Sequence, residues 1–314
     1  MEDILIVGTG PMAVAYAEVL KAMKKSLMVV GRGELSAKHL EEKIGIKPII
    51  GGLSSFLEHN KIKSNCFVII AVGTEALMPS LLSLIDAGVN RILIEKPAAI
   101  SIEELLENEL RLSPFLDSIF IAYNRRFYGS VIETQRLIEE DGGLKTMHFE
   151  FTEWAHKIEP LPKAPGVKEN WFFANSTHVV DLAFFIAGKP QNWQSYSTSG
   201  NLKWHEKTNF VGAGITDEGV LFSYISNWES AGRWGIELLT DKRRIYLKPM
   251  EKISTQLKGS VAIVEHAFDD SLDIQFKPGL MLQVEAFLTI QDDKLINIKN
   301  HILNAKNVYS KIIS

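Results

Sequence analysis

The strict alternation of short apolar runs with helical patterns over residues 1–122 is the strongest constraint on the fold. Apolar runs rich in Ile and Val, bounded by turn residues, predict buried strands at 4–7, 27–30, 67–72, 91–94 and 118–122. Helical spacing predicts helices at 13–23, 76–87 and 102–110. The last follows Ser101, with Glu104 three residues on as in a capping box. Such alternation is typical of a parallel sheet, so we expect a doubly wound α/β domain over residues 1–122.

The pattern changes after residue 122. Strand-like segments follow one another at 145–154, 192–198, 209–216, 220–228, 233–240 and 244–247, separated by Gly, Asp and Asn. Helices are predicted at 131–139, 177–187, 280–289 and 295–310. Strands in succession with few crossovers indicate a large, open antiparallel sheet with helices on one side. Residues 123–314 are therefore predicted to form a second, α+β domain.

Composition argues against several functions. Lys and Arg total 34 against 38 Asp and Glu, a net charge of −4, which is a poor electrostatic footprint for nucleic acid. No apolar run approaches the ~18 residues of a membrane span. The lone Cys66 permits no intrachain disulfide, and the acidic Met1-Glu2-Asp3 start is unlike a signal peptide. We expect a cytoplasmic protein that contacts neither nucleic acid nor membrane, and no histidine spacing predicts a metal site.

The segment Gly8-Thr9-Gly10-Pro11-Met12-Ala13 follows the first strand and opens the first helix. It has the G-x-G-x-x-A spacing of a dinucleotide-binding turn. The first glycine permits the turn, the second lets a pyrophosphate approach the backbone, and the alanine allows close helix packing. The helix N-terminus adds N–H donors and a positive dipole end. We predict that these six residues bind a dinucleotide, with Gly73 and Thr74 after the third predicted strand.

The end of the second strand bears on which nicotinamide dinucleotide binds. A carboxylate there would hydrogen-bond the ribose 2′-hydroxyl and repel a 2′-phosphate. Here Gly31 and Arg32 follow the strand, and an arginine fork matches a phosphate. NADP(H) is therefore favoured over NAD(H). Glu34 lies close enough to serve a ribose, and a solvated turn residue is the alternative for Arg32.

Glu95-Lys96-Pro97 ends a strand whose carboxyl end is expected to face the ligand crevice. A lysine there can hold a substrate hydroxyl and exchange its proton while hydride leaves the same carbon. Glu95 and Lys96 are thus assigned to the cofactor site, with Lys96 as a catalytic candidate. An ordinary surface lysine is the alternative.

The glycine turn, Glu95-Lys96-Pro97, the segment Tyr123-Asn124-Arg125-Arg126-Phe127 and the pair His178-x-x-Asp181 together resemble the Gfo/Idh/MocA oxidoreductase family. The resemblance implies a Rossmann domain followed by an open-faced sheet that lines the active site and often forms dimers. It also implies hydride transfer to or from a sugar, cyclitol or sugar nucleotide. By the same resemblance Lys96 lies beside the nicotinamide and His178 faces the substrate. Where the family often has an aspartate four residues before this histidine, the chain has Ala174.

His178 has two interpretations. If Asn175, Ser176 or Thr177 caps the helix, His178 lies in the first turn, where the dipole disfavours the imidazolium and suits a general base. Asp181, three residues on, would stabilise the cation instead. The alternative is a core histidine on a largely apolar helix.

Aromatic, amide and basic residues complete the predicted substrate site. Arg125 and Arg126 are suited to a carboxylate or nucleotide phosphate. Trp154, Trp171 and Trp234 can stack on sugar faces, although core or interface roles are the alternative. Arg233 is as well explained by a solvated position on the sheet. The substrate-binding residues are predicted to be Tyr123, Asn124, Arg125, Trp154, Asn175 and His178.

The sequence therefore predicts an NAD(P)-dependent dehydrogenase or reductase acting on CH–OH or carbonyl groups of a carbohydrate-type small molecule, as a homodimer or homotetramer. Two alternatives stay open. One is a reductase of a non-sugar carbonyl, because fold does not fix substrate. The other is a dinucleotide-binding regulatory protein without catalysis, which the absent carboxylate at Ala174 allows.

Overall fold

The computed structural model describes residues 4–290 and 294–314, so the Met1-Glu2-Asp3 segment lies outside the described residues. The chain divides into two compact units. The first contains the residues up to Asn124 and Gln275–Leu303, and the second contains Arg125–Ile274 and Asn304–Ser314. A single cut after residue 122 therefore does not separate the units, because the chain returns to the first unit near its end.

The first unit is built on a seven-stranded sheet, counted over the described ranges. Its strands are β1 (Ile4–Val7), β2 (Met28–Gly31), β3 (Ile49–Ile50), β4 (Phe67–Ile70), β5 (Arg91–Ile94), β6 (Ile119–Ile121) and β15 (Ile296–Asn297). The helices are α1 (Pro11–Ala22), α2 (Glu34–Ile44), α3 (Gly52–His59), α4 (Thr74–Asp86), α5 (Ile102–Glu107), α6 (Glu109–Leu112), α11 (Leu280–Thr289) and α12 (Ile298–Asn304). Strand order is β15-β6-β5-β4-β1-β2-β3, with every pair parallel except β15–β6.

The doubly wound α/β architecture is confirmed, since the strand order reverses between β1 and β4. The predicted capping box is also present. Ser101 Oγ accepts a hydrogen bond from the Glu104 amide at 3.2 Å, while the Glu104 carboxylate accepts from the Ile100 amide at 2.7 Å. The predicted helix 102–110 is interrupted at Asn108. The sequence interpretation missed β3, α2 and α3. In the case of β3, the strand has only two residues, and both are exposed.

The C-terminal return is held to the first unit by apolar packing. Helix α11 packs against α1, and the Phe287 ring lies edge-on to Phe67 with centroids 5.5 Å apart. Further along, β15 pairs with β6 through Ile296 and Ile121. These contacts are why Gln275–Leu303 belongs with the first unit.

The second unit is built on an eight-stranded sheet, again counted over the residues described. Its strands are β7 (Thr146–Glu150), β8 (Pro190–Ser199), β9 (Lys207–Thr216), β10 (Leu221–Asn227), β11 (Gly235–Leu239), β12 (Arg243–Leu247), β13 (Ser254–Leu257) and β14 (Val264–Glu265). The helices are α7 (Gly129–Glu140), α8 (Ala155–Ile158), α9 (Thr177–Ala187), α10 (Ser271–Gln275) and α13 (Ser310–Ile313).

The order β14-β13-β12-β11-β7-β10-β9-β8 gives a mostly antiparallel sheet, as predicted. One pair differs, because β10 runs parallel to β7 after the long connection through α9 and the β8–β9 hairpin. The bounds of α9 and α11 match the predicted helices 177–187 and 280–289. The predicted helix 295–310 is instead β15, α12, a π-helical turn and the start of α13.

Helix α9 packs on β7, whose inward residues Met147 and Phe149 are fully buried. Phe149 contacts Phe184 of α9 edge-on, with centroids 5.6 Å apart. Among the helices the structure describes, none is long and apolar enough to cross a bilayer.

Candidate functional site

The turn between β1 and α1 depends on Gly8. Its φ of +128° is one that other residues rarely adopt, and a Cβ would overlap the Ala71 carbonyl. Gly10 differs, because a Cβ there would meet no atom within 4 Å. The fold does not require glycine at this position. The open space next to the backbone instead fits a phosphate group at the start of a helix.

Helix α1 begins at Pro11, which has no N–H, and the Val14 amide bonds to the Gly10 carbonyl. The amides of Met12 and Ala13 are therefore the first-turn donors that the helix itself leaves without an acceptor. They are suited to an anionic ligand next to Gly10.

A cavity of about 780 Å³ lies where β1, β2 and β4 end. This volume is in the usual range for small-molecule sites. The predicted cofactor residues that line it are Gly8, Thr9, Gly10, Pro11, Met12, Gly31, Arg32 and Gly73. Those that do not are Ala13, Thr74, Glu95 and Lys96. Ala13 is instead fully buried under the turn, where it permits close packing.

Arg32 is exposed and lines this cavity, and the structure shows no hydrogen bond or ion pair to it over the described residues. Its side chain packs against Gly52, where a Cβ would lie 3.0 Å from Arg32 Cγ. Ser36 and Ser54 line the same cavity. Gly31 also has a packing role, since a Cβ there would overlap the Thr9 side chain.

Glu95 and Lys96 follow the end of β5, and both are partly buried. Burial raises the pKa of Glu95, against the opposing effect of the neighbouring Lys96 charge. The hydroxyl of the fully buried Tyr16 donates to Glu95 Oε1 at 2.8 Å, and burial raises the pKa of Tyr16. The structure thus anchors Glu95 to α1 and places Lys96 at the carboxyl edge of the sheet.

Tyr123 and Asn124 belong to the first unit and are buried. The Asn124 amide donates to the Pro278 carbonyl at 2.9 Å, and Tyr123 packs against the His301 ring with centroids 5.8 Å apart. Both residues have structural contacts, and their substrate-binding role stays a prediction.

The second unit contains a buried carboxylate that the sequence interpretation missed. Glu153 is 1% exposed, and its Oε1 accepts from Asn175 Nδ2 at 2.9 Å and Ser176 Oγ at 2.8 Å. Arg233 reaches its other oxygen at 3.3 Å. Burial raises the pKa of Glu153, against the hydrogen bond from Ser176 and the charge of Arg233. A carboxylate thus lies next to Ala174, the position where the family often has an aspartate and this chain has none.

A pattern in the sequence could have revealed Glu153. Buried side chains alternate along Met147, Phe149 and Phe151, and the same period places residue 153 on the inward side. A glutamate in that position is rare unless it is paired or functional.

The predicted cap at His178 is wrong. A π-helical turn, Phe172–Ser176, leads directly into α9, and no side chain caps the helix. Asn175 and Ser176 donate to Glu153 instead, while Thr177 Oγ donates to the Phe173 carbonyl at 2.8 Å. The dipole argument for a neutral His178 therefore fails, because α9 has no free N-terminal turn there. π-Helical turns inside helices occur frequently at functional sites.

Arg126 and Asp181 do not take their predicted roles. They form a buried bidentate pair, with Arg126 Nη2 to Asp181 Oδ1 at 2.6 Å and Nε to Oδ2 at 2.8 Å. The Asp181 carboxylate is thus paired with an arginine, so it is not assigned to stabilise the His178 cation. Arg126 is correspondingly engaged by an internal carboxylate and not left for a ligand.

Arg125 and Arg233 both approach the Trp234 ring, at 4.9 and 4.5 Å from its centroid. Arg233 also lies 4.9 Å from the Trp154 ring centroid. The His178 ring is 6.1 Å from the Trp234 ring. The second unit therefore brings together four predicted positions, His178, Asn175, Arg125 and Trp154, around Trp234, Arg233 and Glu153.

The tryptophans differ in exposure. Trp154 is 45% exposed, and its indole N–H donates to the Gly232 carbonyl at 2.8 Å. Trp171 and Trp234 are buried, and Trp171 packs edge-on against Trp204. Of these three, Trp154 presents the most ring surface to a ligand.

No protein-family model matches the sequence. A comparison with curated proteins finds no match either. Solved structures do resemble the chain over almost its whole length. Levoglucosan dehydrogenase in complex with NADH and L-sorbose is 14% identical with a TM-score of 0.75, covering 99% of this chain and 95% of its own.

Two further structures agree. An oxidoreductase from Agrobacterium radiobacter, in complex with NAD+, L-tartaric acid and magnesium, is 14% identical with a TM-score of 0.73, covering 99% and 96% of the two chains. UDP-N-acetylglucosamine 3-dehydrogenase from Acidithiobacillus ferrooxidans is 12% identical with a TM-score of 0.70, covering 98% and 95%. At such identities the likeness establishes the two-domain fold.

Proposed function

We propose that the protein is an NAD(P)-dependent oxidoreductase of the Gfo/Idh/MocA type that acts on a carbohydrate-type substrate. The observation that carries the proposal is the cavity at the ends of β1, β2 and β4. It lies where doubly wound sheets bind dinucleotides, and the open space beside Gly10 fits a pyrophosphate. The similar structures support it, since levoglucosan dehydrogenase holds NADH and a sugar.

A bound nicotinamide dinucleotide would supply the carbon that gives or accepts hydride. The amides of Met12 and Ala13 would hold its pyrophosphate. Lys96 would hold the reacting oxygen of the substrate and exchange its proton, as an amine can act as acid or base. His178 would hydrogen-bond a substrate hydroxyl, and Trp154 would contact a sugar face.

Lys96→Met tests the catalytic role. We expect turnover to fall by a factor of ~10²–10⁴, the usual contribution of general acid–base catalysis, while dinucleotide affinity changes little. Lys61→Met, which removes an exposed lysine of the same unit, is the matched control. If Lys96→Met turns over substrate as fast as the control, the catalytic role of Lys96 is contradicted. If the wild-type protein binds a dinucleotide but turns over no carbohydrate, the regulatory alternative is favoured.

For the cofactor, the proposal favours NADP(H). Arg32 offers a guanidinium that no described residue engages by a hydrogen bond or ion pair, and Ser36 and Ser54 line the same cavity. Arg32→Ala should weaken NADPH binding by about 1.5–3 kcal/mol and leave NADH nearly unchanged. Fluorescence titration of both cofactors measures this, and equal losses for the two would refute the assignment.

We also propose a homo-oligomer. Tyr196, Val211 and Ile225 are exposed and lie opposite one another across β8, β9 and β10. An apolar row on an open sheet face is suited to a second copy. Light scattering should give a mass above one chain, and Val211→Glu should lower it. A monomeric wild type would contradict this part of the proposal.

A further inference from the structure

Two arginines of the second unit, Arg125 and Arg233, have few hydrogen-bond acceptors around their guanidinium groups. Nε of Arg125 is buried without a hydrogen-bond partner, and no hydrogen bond reaches the Arg125 side chain from the described residues. Its guanidinium lies against the Trp234 and Tyr128 rings, 4.9 and 5.8 Å from the ring centroids. A buried donor left unpaired costs about 1–3 kcal/mol, more when it is charged.

Arg233 is the second arginine against the Trp234 ring. Its guanidinium contacts the Trp154 and Trp234 rings and, among the described residues, pairs with the Glu153 carboxylate at 3.3 Å. Burial lowers the pKa of Arg125, and the like charge of Arg233 lowers it further.

The carboxylates nearby do not neutralise Arg125 by contact. Glu153 and Glu251 act on it through their charge, but neither forms a hydrogen bond or ion pair with it. Glu153 already accepts from Asn175 and Ser176. Arg125 therefore retains its donors next to Trp234, and Arg233 links Trp234 to the partly exposed Trp154.

From this geometry we infer that Arg125 and Arg233 form an oxyanion subsite, and that the substrate is an anionic carbohydrate bearing a carboxylate or phosphate. The inference rests on the proposed function and names its substrate class. A guanidinium fork pairs with either oxyanion through two parallel hydrogen bonds. The oxyanion would occupy the unused donors of Arg125 and reduce the repulsion between the two arginines, while the sugar ring lies against Trp154.

Calorimetry on the full-length chain tests the subsite with D-glucose, D-glucuronate and D-glucose 6-phosphate, and with the corresponding galactose series. We expect wild type to bind at least one anionic sugar about tenfold or more tightly than its neutral parent, as expected for charge-assisted hydrogen bonds. Whichever anionic sugar binds more tightly, the uronate or the 6-phosphate, shows whether the subsite takes a carboxylate or a phosphate. Added NaCl should reduce the preference.

Arg125→Gln should abolish the preference, so that the anionic sugar binds no more tightly than its neutral parent. Arg136→Gln, which removes an exposed arginine of the same unit, is the matched control and should retain it. Arg125→Lys keeps the charge without the fork and serves if the glutamine variant does not fold. Equal affinity for neutral and anionic sugars in wild type, or failure of every anion to bind, overturns the inference.

NADPH titration of the same samples separates the two proposals. Dinucleotide binding with turnover of neutral sugars only would refute the oxyanion subsite and leave the proposed function standing. Anion binding at Arg125 without any dinucleotide binding would refute the proposed function instead.

Discussion

Replacement of Asp181 by leucine should markedly lower the melting temperature of the protein. Asp181 and Arg126 are 1% and 11% exposed and share two hydrogen bonds of 2.6 and 2.8 Å. Removing one member of such a pair leaves an uncompensated buried charge, which costs about 3–5 kcal/mol. With roughly 2–4 °C per kcal/mol for a unit of this size, the melting temperature should fall by about 6–20 °C.

Thermal melts followed by circular dichroism measure this effect. The double variant Asp181→Leu, Arg126→Met should recover much of the loss, because apolar residues often replace a buried ion pair at little cost. Arg136→Met, which breaks exposed ion pairs, is the control and should change the melting temperature little. If Asp181→Leu costs no more than this control and alters only activity, Asp181 serves His178 and the structural assignment is wrong.

Three further predictions concern single side chains. Gly8→Ala should abolish dinucleotide binding and lower the melting temperature, because a Cβ would overlap the Ala71 carbonyl; unchanged affinity would contradict this. Burial raises the pKa of Glu153, so its stabilising contribution is present at low pH and is lost as pH rises through the folded pKa. Glu153→Gln should therefore gain stability relative to wild type over that pH range. A difference in stability between the two proteins that does not change with pH would refute this. Burial raises the pKa of Tyr224 to about 12, so stability should fall from about pH 10 towards 12, and Tyr224→Phe should flatten that slope in alkaline melts.

Local patterns were enough to predict most of the regular elements. The strand Ile4–Val7 and the helix Thr177–Ala187 have the predicted bounds because each is a largely buried segment rich in apolar residues. The short β3 has two residues, both exposed, and was missed. Residues Gln275–Leu303 were assigned to the wrong side of a single boundary, since no local pattern records that α11 packs against α1.

The site was predictable only where its chemistry is local. The turn at Gly8 can be inferred from a few adjacent residues, because both its backbone conformation and its helix follow from them. The pairing of Arg126 with Asp181 joins residues 55 positions apart, and that of Glu153 with Asn175 joins residues 22 apart. Sequence spacing alone does not reveal either pair. The helix cap predicted at Asn175, Ser176 or Thr177 was wrong because the first two side chains donate to the distant Glu153 instead.

The carboxylate next to Ala174 is the instructive case. A missing aspartate in one helix suggested lost catalysis, yet Glu153, from the segment after β7, places a buried carboxyl against Asn175 and Ser176. A protein site requires a chemical group at a location, and a different element can supply it. Because the π-helical turn Phe172–Ser176 aims both donors at Glu153, the helix is shaped around this carboxyl. Loss of one motif position is therefore weak ground for concluding that the chain lacks activity.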